Sequence, residues 1–122
     1  MKYDRHDALN SLKPNQFSWV GFEYSGLNWV GSGTAPTETE IDAEVTRLDN
    51  AEPMRLLRLE RDRRLSACDW VITKATDTGV AVTTSWKTYR QSLRDLPASA
   101  SPSLDSNYDL NLTSVTWPTE PS

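Results

Sequence analysis

The sequence predicts an α+β protein, with a short N-terminal helix and a β-hairpin, then a small helical domain of about three helices, then an extended C-terminal tail. Aromatic residues alternate with polar or small ones between residues 16 and 31, which is the period of strands. Between residues 37 and 96, apolar residues recur at three- and four-residue intervals, which is the period of helices. The polar segment that follows Pro97 shows neither the period of strands nor the period of helices. The expected domains are therefore residues 1–35, 36–97 and 98–122.

The N-terminal region combines a short helix with two short strands. Residues 3–12 can form the helix, which Lys13-Pro14-Asn15 would end, and Tyr24-Ser25-Gly26 suits a turn between the strands. Two strands alone are barely stable in water, so the hairpin must pack on a helix or pair with another chain. Exposed aromatic patches usually mark interfaces. The hairpin aromatics are therefore candidate partner-binding residues: Phe17, Trp19, Phe22, Tyr24 and Trp29.

Two helices are predicted in the middle of the chain. Thr37-Glu38-Thr39-Glu40 fits a capping box, and apolar residues follow at i, i+4 and i+7 from Ile41, which predicts a helix over residues 37–50. Pro53 is expected to break or kink that helix. Because proline is tolerated in a first turn, a second helix is predicted from Pro53 to about Cys68.

A last helix of about residues 84–96 is predicted after a loop at residues 69–82. Thr83 or Thr84 can cap this helix, and Pro97 is expected to stop it. Apolar residues at helical spacing more often form core than a recognition surface, so core is the first interpretation of this face and a recognition surface is the alternative. That face carries Trp86, Tyr89, Leu93 and Leu96.

The composition argues against two classes of partner. The formal net charge is −4, whereas binding to nucleic acid requires a positive surface that neutralises phosphates. No stretch of the chain approaches the roughly 18 apolar residues of a membrane span. With 37% hydrophobic residues but five tryptophans, the expected core is modest and built around large rings. We therefore expect no nucleic-acid or membrane partner, and either marginal stability alone or stability borrowed from a partner.

Catalytic and metal-binding chemistry is not expected. The only histidine is His6, and one histidine with the single Cys68 cannot build a zinc site of the usual types. Cys68 lies at helical spacing from Leu65, so a small buried side chain explains it better than a nucleophile does. The acidic cluster at the start of the helix over residues 37–50 is explained by the helix dipole. We expect no catalytic, metal-binding or cofactor-binding residue and no cofactor.

Five arginines concentrate on the predicted second helix. Acidic residues are interleaved with them, and Glu60 has the i, i+4 spacing of a helical ion pair with Arg64. A solvated, salt-bridged face is the first interpretation, and a patch for phosphate or an acidic partner is the alternative. The arginines are Arg55, Arg58, Arg61, Arg63 and Arg64.

An ordered set of landmarks runs through the second half of the chain. The set consists of Arg64-Leu65, Asp69-Trp70, Trp86, Tyr89-Arg90, Leu93-Arg94 and Trp117-Pro118. With these landmarks, residues 52–121 resemble the C-terminal domain of bacteriophage tail assembly chaperones and tail-fibre assembly proteins. The resemblance makes five residues the structural motif of this domain: Trp70, Trp86, Tyr89, Arg90 and Leu93.

The resemblance implies a non-enzymatic morphogenesis protein that acts in the host cytoplasm. Such a protein helps a tail fibre, or another tail or baseplate protein, to fold or assemble, and its oligomeric state can follow the symmetry of that partner. A β-hairpin suits this role, because it can cover the unpaired strand edges of an unfinished fibre by strand addition. The family supplies no catalytic residue.

The alternative is a structural component that stays bound in the tail, baseplate or fibre of the virion. The polar tail of the chain favours this alternative slightly, because such a segment would need a partner surface to become ordered. Trp117 in this tail is therefore a further candidate partner-binding residue.

Overall fold

The structure is a computed structural model that describes residues 2–19, 21 and 23–122. It divides into two compact units, Met1–Glu52 and Pro53–Ser122. The predicted α+β class is confirmed, with a short helix and an antiparallel hairpin followed by a mostly helical remainder. The helices are α1 (Arg5–Leu12), α2 (Glu38–Ala67), α3 (Trp70–Thr78) and α4 (Thr84–Ser99), the strands are β1 (Phe17–Trp19) and β2 (Leu27–Trp29), and 3₁₀ turns lie at Tyr24–Gly26 and Leu112–Ser114.

The first unit buries one face of the hairpin against helices. The strands pair Phe17 with Trp29 and Trp19 with Leu27, which places these four side chains on the same face of the sheet. That face packs on a core formed by the α1 pair Ala8 and Leu9 and the α2 pair Ile41 and Val45. The predicted hairpin and its turn are therefore confirmed, and the hairpin obtains its hydrophobic partner within its own unit.

Helix α1 begins with a reciprocal capping box. The Asp4 carboxylate accepts from the amide of Asp7 at 2.9 Å, and the Asp7 carboxylate accepts from the amide of Asp4 at 3.0 Å. Two of the amides that would otherwise lack a partner at the start of the helix are thereby satisfied. The sequence signal is Asp-x-x-Asp, a variant of the usual box that ends in Glu or Gln.

Of the break or kink expected at Pro53, the break is wrong, because α2 continues through this proline as one helix. An interior proline costs a helix roughly 3 kcal/mol, because it removes one hydrogen bond and crowds the preceding turn. Buried side chains hold the helix in place on both sides of Pro53. Glu52, 1% exposed, is bonded to Lys2 and Tyr3 in the first unit, and Leu57 is fully buried in the second. The packing of these helical positions outweighs the cost of the proline.

The loop predicted at residues 69–82 is also wrong, because most of it forms helix α3. The turn signal at Asp77-Thr78-Gly79 marks the end of this helix: Gly79 adopts φ +72°, and its amide bonds to the carbonyl of Ala75 at 3.0 Å. The sequence of α3 is rich in β-branched residues, which have a weak helix propensity. Burial of Val71 in the core of the second unit overrides that propensity.

Helix α4 is capped as predicted but ends later than predicted. The Thr83 hydroxyl accepts from the amide of Trp86 at 3.5 Å, whereas Pro97 lies inside the helix rather than ending it. A proline in the last turn removes only one hydrogen bond, and the amide of Ala100 still bonds to the carbonyl of Leu96 at 3.0 Å.

The C-terminal tail is ordered and packs within the second unit. Leu104 and Leu110 form an isolated antiparallel bridge, and Val115 is buried beside Leu57 and Leu96. The C-terminal tail expected from the sequence therefore docks on a surface of its own unit. No helix in the described part of the chain is both long and apolar enough to cross a membrane.

Candidate partner-binding surfaces

The hairpin aromatics are half-buried and face the core of the first unit. Phe17, Trp19, Tyr24 and Trp29 all pack against it, and Phe22 lies outside the described residues. The polar atoms of these rings are satisfied nearby. The Trp19 indole donates to the carbonyl of Glu23 at 2.8 Å, and the Tyr24 hydroxyl to that of Pro36 at 2.8 Å. The described aromatic side chains thus support the hairpin from its inner face.

The outer face of the hairpin is polar. Ser18 and Asn28 form the central pair of the two strands and are exposed. Among the described residues the sheet contains only β1 and β2, so the outer edge of each strand pairs with no further strand. A partner that uses the hairpin would therefore meet these edges before it meets the rings.

Three of the five structural-motif residues, Trp86, Tyr89 and Leu93, lie in the core of the second unit or pack on it. Tyr89 and Leu93 of α4 are buried together with Cys68 and Val71. Trp86 packs on this cluster and stands edge-to-face to Tyr89, with ring centroids 5.9 Å apart. The apolar face of α4 is thus part of a packed core rather than a recognition stripe, whereas Trp70 stays 52% exposed.

Arg90 joins the end of α2 to the start of α3. One guanidinium nitrogen donates to the carbonyl of Leu65 at 3.1 Å and to the Cys68 sulfur at 3.1 Å, and the other donates to the Asp69 carboxylate at 3.2 Å. Carbonyls at the end of a helix lack intrahelical partners, and a guanidinium presents several donors in a fixed fork. Arg90 therefore fixes the turn between the two helices.

Trp117 docks on its own unit. Its indole donates to the carbonyl of Leu112 at 3.1 Å, and the guanidinium of Arg64 lies 4.1 Å from the ring centroid. The ring also packs against the buried clusters around Leu93 and Val115. The side chain proposed from the sequence as partner-binding is therefore half-buried against residues of the same chain.

The arginine-rich part of α2 forms ion pairs with its own acidic residues. Glu60 accepts from Arg63 at 2.6 Å and from Arg64 at 3.0 Å. The hydrogen bond from Arg63 is the main reason that the pKa of Glu60 is lowered to about 2. Arg61 pairs with Asp62 at 2.7 Å. These contacts agree with a salt-bridged face, but the Arg61 and Arg64 side chains are only 19% and 25% exposed, so this face is only partly solvated. No three His, Cys, Asp or Glu side chains of the described residues are placed to hold a metal ion.

An exposed apolar surface lies where the sequence predicted only a loop. A cavity of about 170 Å³ opens between α3, the connector that follows it and the start of α4. Trp70 is 52% exposed and Val80 is 68% exposed, although both are large apolar residues. We call this surface the Trp70 groove; its lining includes Trp70, Lys74, Thr78, Val80, Val82 and Trp86. The sequence did not predict this groove, because the segment that forms α3 was expected to be a loop.

Comparison with known protein families gives one match. The family described as phage tail assembly chaperone protein matches residues 54–122, which is more than half of the chain and contains all of the landmarks. The chain therefore belongs to the phage tail assembly chaperone protein family. Neither the curated proteins nor the solved structures contain a significant match to it.

Proposed function

We propose that this chain is a non-enzymatic phage tail morphogenesis protein that binds a tail fibre or another tail or baseplate protein in the host cytoplasm and assists its assembly. The observation that carries the proposal is the family match over residues 54–122. The matched residues extend over nearly the whole second unit and include its packed core. A role in tail assembly thus follows from the family, and the choice of partner is the further step taken here.

The geometry supports a binding role in two places. In the first unit, the outer edges of β1 and β2, which pair with no further strand among the described residues, suit strand addition to an unfinished fibre. In the second unit, the Trp70 groove exposes large apolar side chains beside a cavity, as binding surfaces do. Neither place holds a set of residues that would make bond-breaking chemistry the simpler explanation.

A transient chaperone is favoured over a component that is retained in the virion. The argument for retention was that the polar tail would need a partner surface to become ordered. Val115 and Trp117 instead anchor the tail within the second unit. Since the tail finds its packing surface in its own chain, its order no longer requires a permanent partner.

The first experiment deletes the gene from the phage and examines lysates of infected cells by electron microscopy. We expect particles with missing or incomplete tails or fibres, and restoration when the wild-type gene is supplied from a plasmid. Normal infectious particles from the deletion phage would overturn the proposal.

A second experiment separates the two candidate roles. Mass spectrometry of purified wild-type particles measures the copy number of this chain in the virion. Absence from particles, together with co-purification of a tail protein from the lysate, is the result expected of a transient chaperone. A fixed stoichiometric copy number would instead identify a retained tail component.

A further inference from the structure

The Trp70 groove has the size of a pocket for one side chain. Its volume of about 170 Å³ is close to that of cavities, about 150 Å³, that bind a benzene molecule. The walls are apolar: Val80 and Val82 come from the connector, and Trp86 comes from α4. A large aliphatic or aromatic side chain of a partner therefore fits the groove better than a polar one.

Trp70 is the natural anchor of this surface. Its ring stands edge-to-face to Trp86, with centroids 5.6 Å apart, and this contact holds the ring in place while 52% of the residue stays exposed. Tryptophan is one of the residue types that are enriched among the side chains that dominate binding energy at interfaces.

The charge of the groove favours a negatively charged partner. Lys74 is the one charged residue of its lining, and its ammonium makes no ion pair with any described residue. The second unit carries nine basic and eight acidic residues, a net charge of +1, whereas the first carries four basic and nine acidic, a net charge of −5. The groove thus belongs to the unit in which a negative ligand meets less repulsion.

We propose that the Trp70 groove binds an extended segment of a tail protein in which one large apolar side chain fills the cavity and a nearby carboxylate pairs with Lys74. This inference rests on the proposed function, because a tail protein is the partner. An acidic apolar segment is chosen over a second copy of this chain because the cavity accepts a single side chain, whereas a stable dimer needs an extensive surface.

The test begins with a random-peptide display library selected against the full chain. We expect the enriched peptides to share a large apolar residue and an Asp or Glu. The enriched peptides are then synthesised, and their affinity is measured by fluorescence anisotropy. Lys74→Glu should weaken binding about tenfold, because it removes the attraction of the ammonium and places a second negative charge beside the carboxylate of the peptide. Replacing the acidic residue of the peptide by Lys should restore binding to Lys74→Glu.

Matched controls separate the groove from general effects. Val80→Ser should weaken binding, whereas Val30→Ser, at a valine that is 63% exposed in the first unit, should not. Lys87→Glu makes the same charge change on α4 at an exposed residue outside the lining of the groove, and should leave affinity within about twofold. Circular dichroism checks that each variant is folded.

Three results would overturn the inference. The first is that no peptide is enriched, and the second is that Lys74→Glu and Val80→Ser bind the enriched peptides as tightly as the controls do. The third is self-association of the wild-type chain, measured by analytical ultracentrifugation, that Trp70→Ser abolishes, because the groove would then hold a second copy.

The proposed function and the inference about the groove can be contradicted independently of each other. If the deletion phage recovers normal tails with the wild-type gene and equally well with a gene carrying Lys74→Glu and Val80→Ser, the groove inference fails and the proposed function stands. If the deletion phage needs no complementation, the proposed function fails.

Discussion

At the scale of single residues, a few polar side chains decide how the second unit is assembled. Arg90 is the clearest case, because three acceptors from the end of α2 and the start of α3 converge on its guanidinium. The sequence marked Arg90 only as one of the motif residues that carry the family resemblance. It could not show the bond to the carbonyl of Leu65, since backbone groups carry no sequence signal.

Replacing Arg90 tests this role directly. Arg90→Met keeps much of the apolar stem and removes the donors, so we expect the free energy of unfolding to fall by about 2–3 kcal/mol, the usual value of hydrogen bonds to charged groups. Urea unfolding followed by circular dichroism measures it. The control is Arg94→Met on the same helix, where the guanidinium bonds to the exposed Gln91, with an expected change below about 0.5 kcal/mol. Equal effects of the two variants would contradict the role of Arg90.

Glu60 predicts a pH dependence of stability. Its pKa is lowered to about 2, mainly by the hydrogen bond from Arg63, so its stabilising contribution is complete above the ordinary carboxyl pKa of about 4.5 and is lost as the pH falls towards 2. Because the Arg63 side chain is 66% exposed, solvent screens the pair, and we expect a contribution of about 1 kcal/mol.

The measurement compares the wild-type chain with Glu60→Gln. The difference in free energy of unfolding should be largest at neutral pH and should shrink across the window from about pH 4.5 to about pH 2. Asp77→Asn provides a control on an exposed carboxylate of α3. A difference between the wild-type chain and Glu60→Gln that is constant with pH would show that the ion pairs of Glu60 do not stabilise the fold.

At the scale of elements, three errors of prediction concern residues with a low helix propensity that packing holds in a helix. Pro53 was expected to break or kink a helix, Pro97 was expected to stop one, and the segment of α3 was expected to be a loop. In each case the local sequence is unfavourable to a helix. Burial of neighbouring side chains, such as Leu57 and Val71, then decided the outcome, because tertiary contacts outweigh propensities of about 1–3 kcal/mol.

The two prolines can be compared by substitution. Pro53→Ala should stabilise the protein by up to about 3 kcal/mol, because it restores an interior hydrogen bond and removes the clash with the preceding turn. Pro97→Ala, in the last turn of α4, should have a smaller effect. Thermal unfolding of both variants provides the measurement. No gain from Pro53→Ala would mean that α2 has adapted locally to its proline.

At the scale of the whole molecule, the chain builds two units with separate cores. The first core combines α1, the hairpin and the first turns of α2, and the second combines the remaining helices with the C-terminal tail. The tail completes the second core, since Val115 covers Leu57 and Leu96. A segment whose composition is typical of a disordered terminus is thus part of the folded unit.

Truncation tests the role of the tail. Removing residues 101–122 should expose Leu57 and Leu96 and lower the free energy of unfolding by about 3 kcal/mol or more, because burying an aliphatic side chain contributes roughly 1.5–3 kcal/mol. Removing only residues 119–122 is the control, since it leaves Val115 and Trp117 in place. Circular dichroism in urea reports both. An unchanged midpoint after the longer truncation would contradict a structural role for the tail.

The sequence by itself determined the class of the fold, the hairpin with its turn, the capped start of α4 and the family, because each depends on local periodicity or on an ordered set of side chains. Only the tertiary structure decided the continuity of α2, the existence of α3 and the docking of Trp117. These features depend on contacts between residues that are distant in the chain, which no local pattern records. The Trp70 groove was missed for the same reason, since a surface between two helices exists only once both helices are in place.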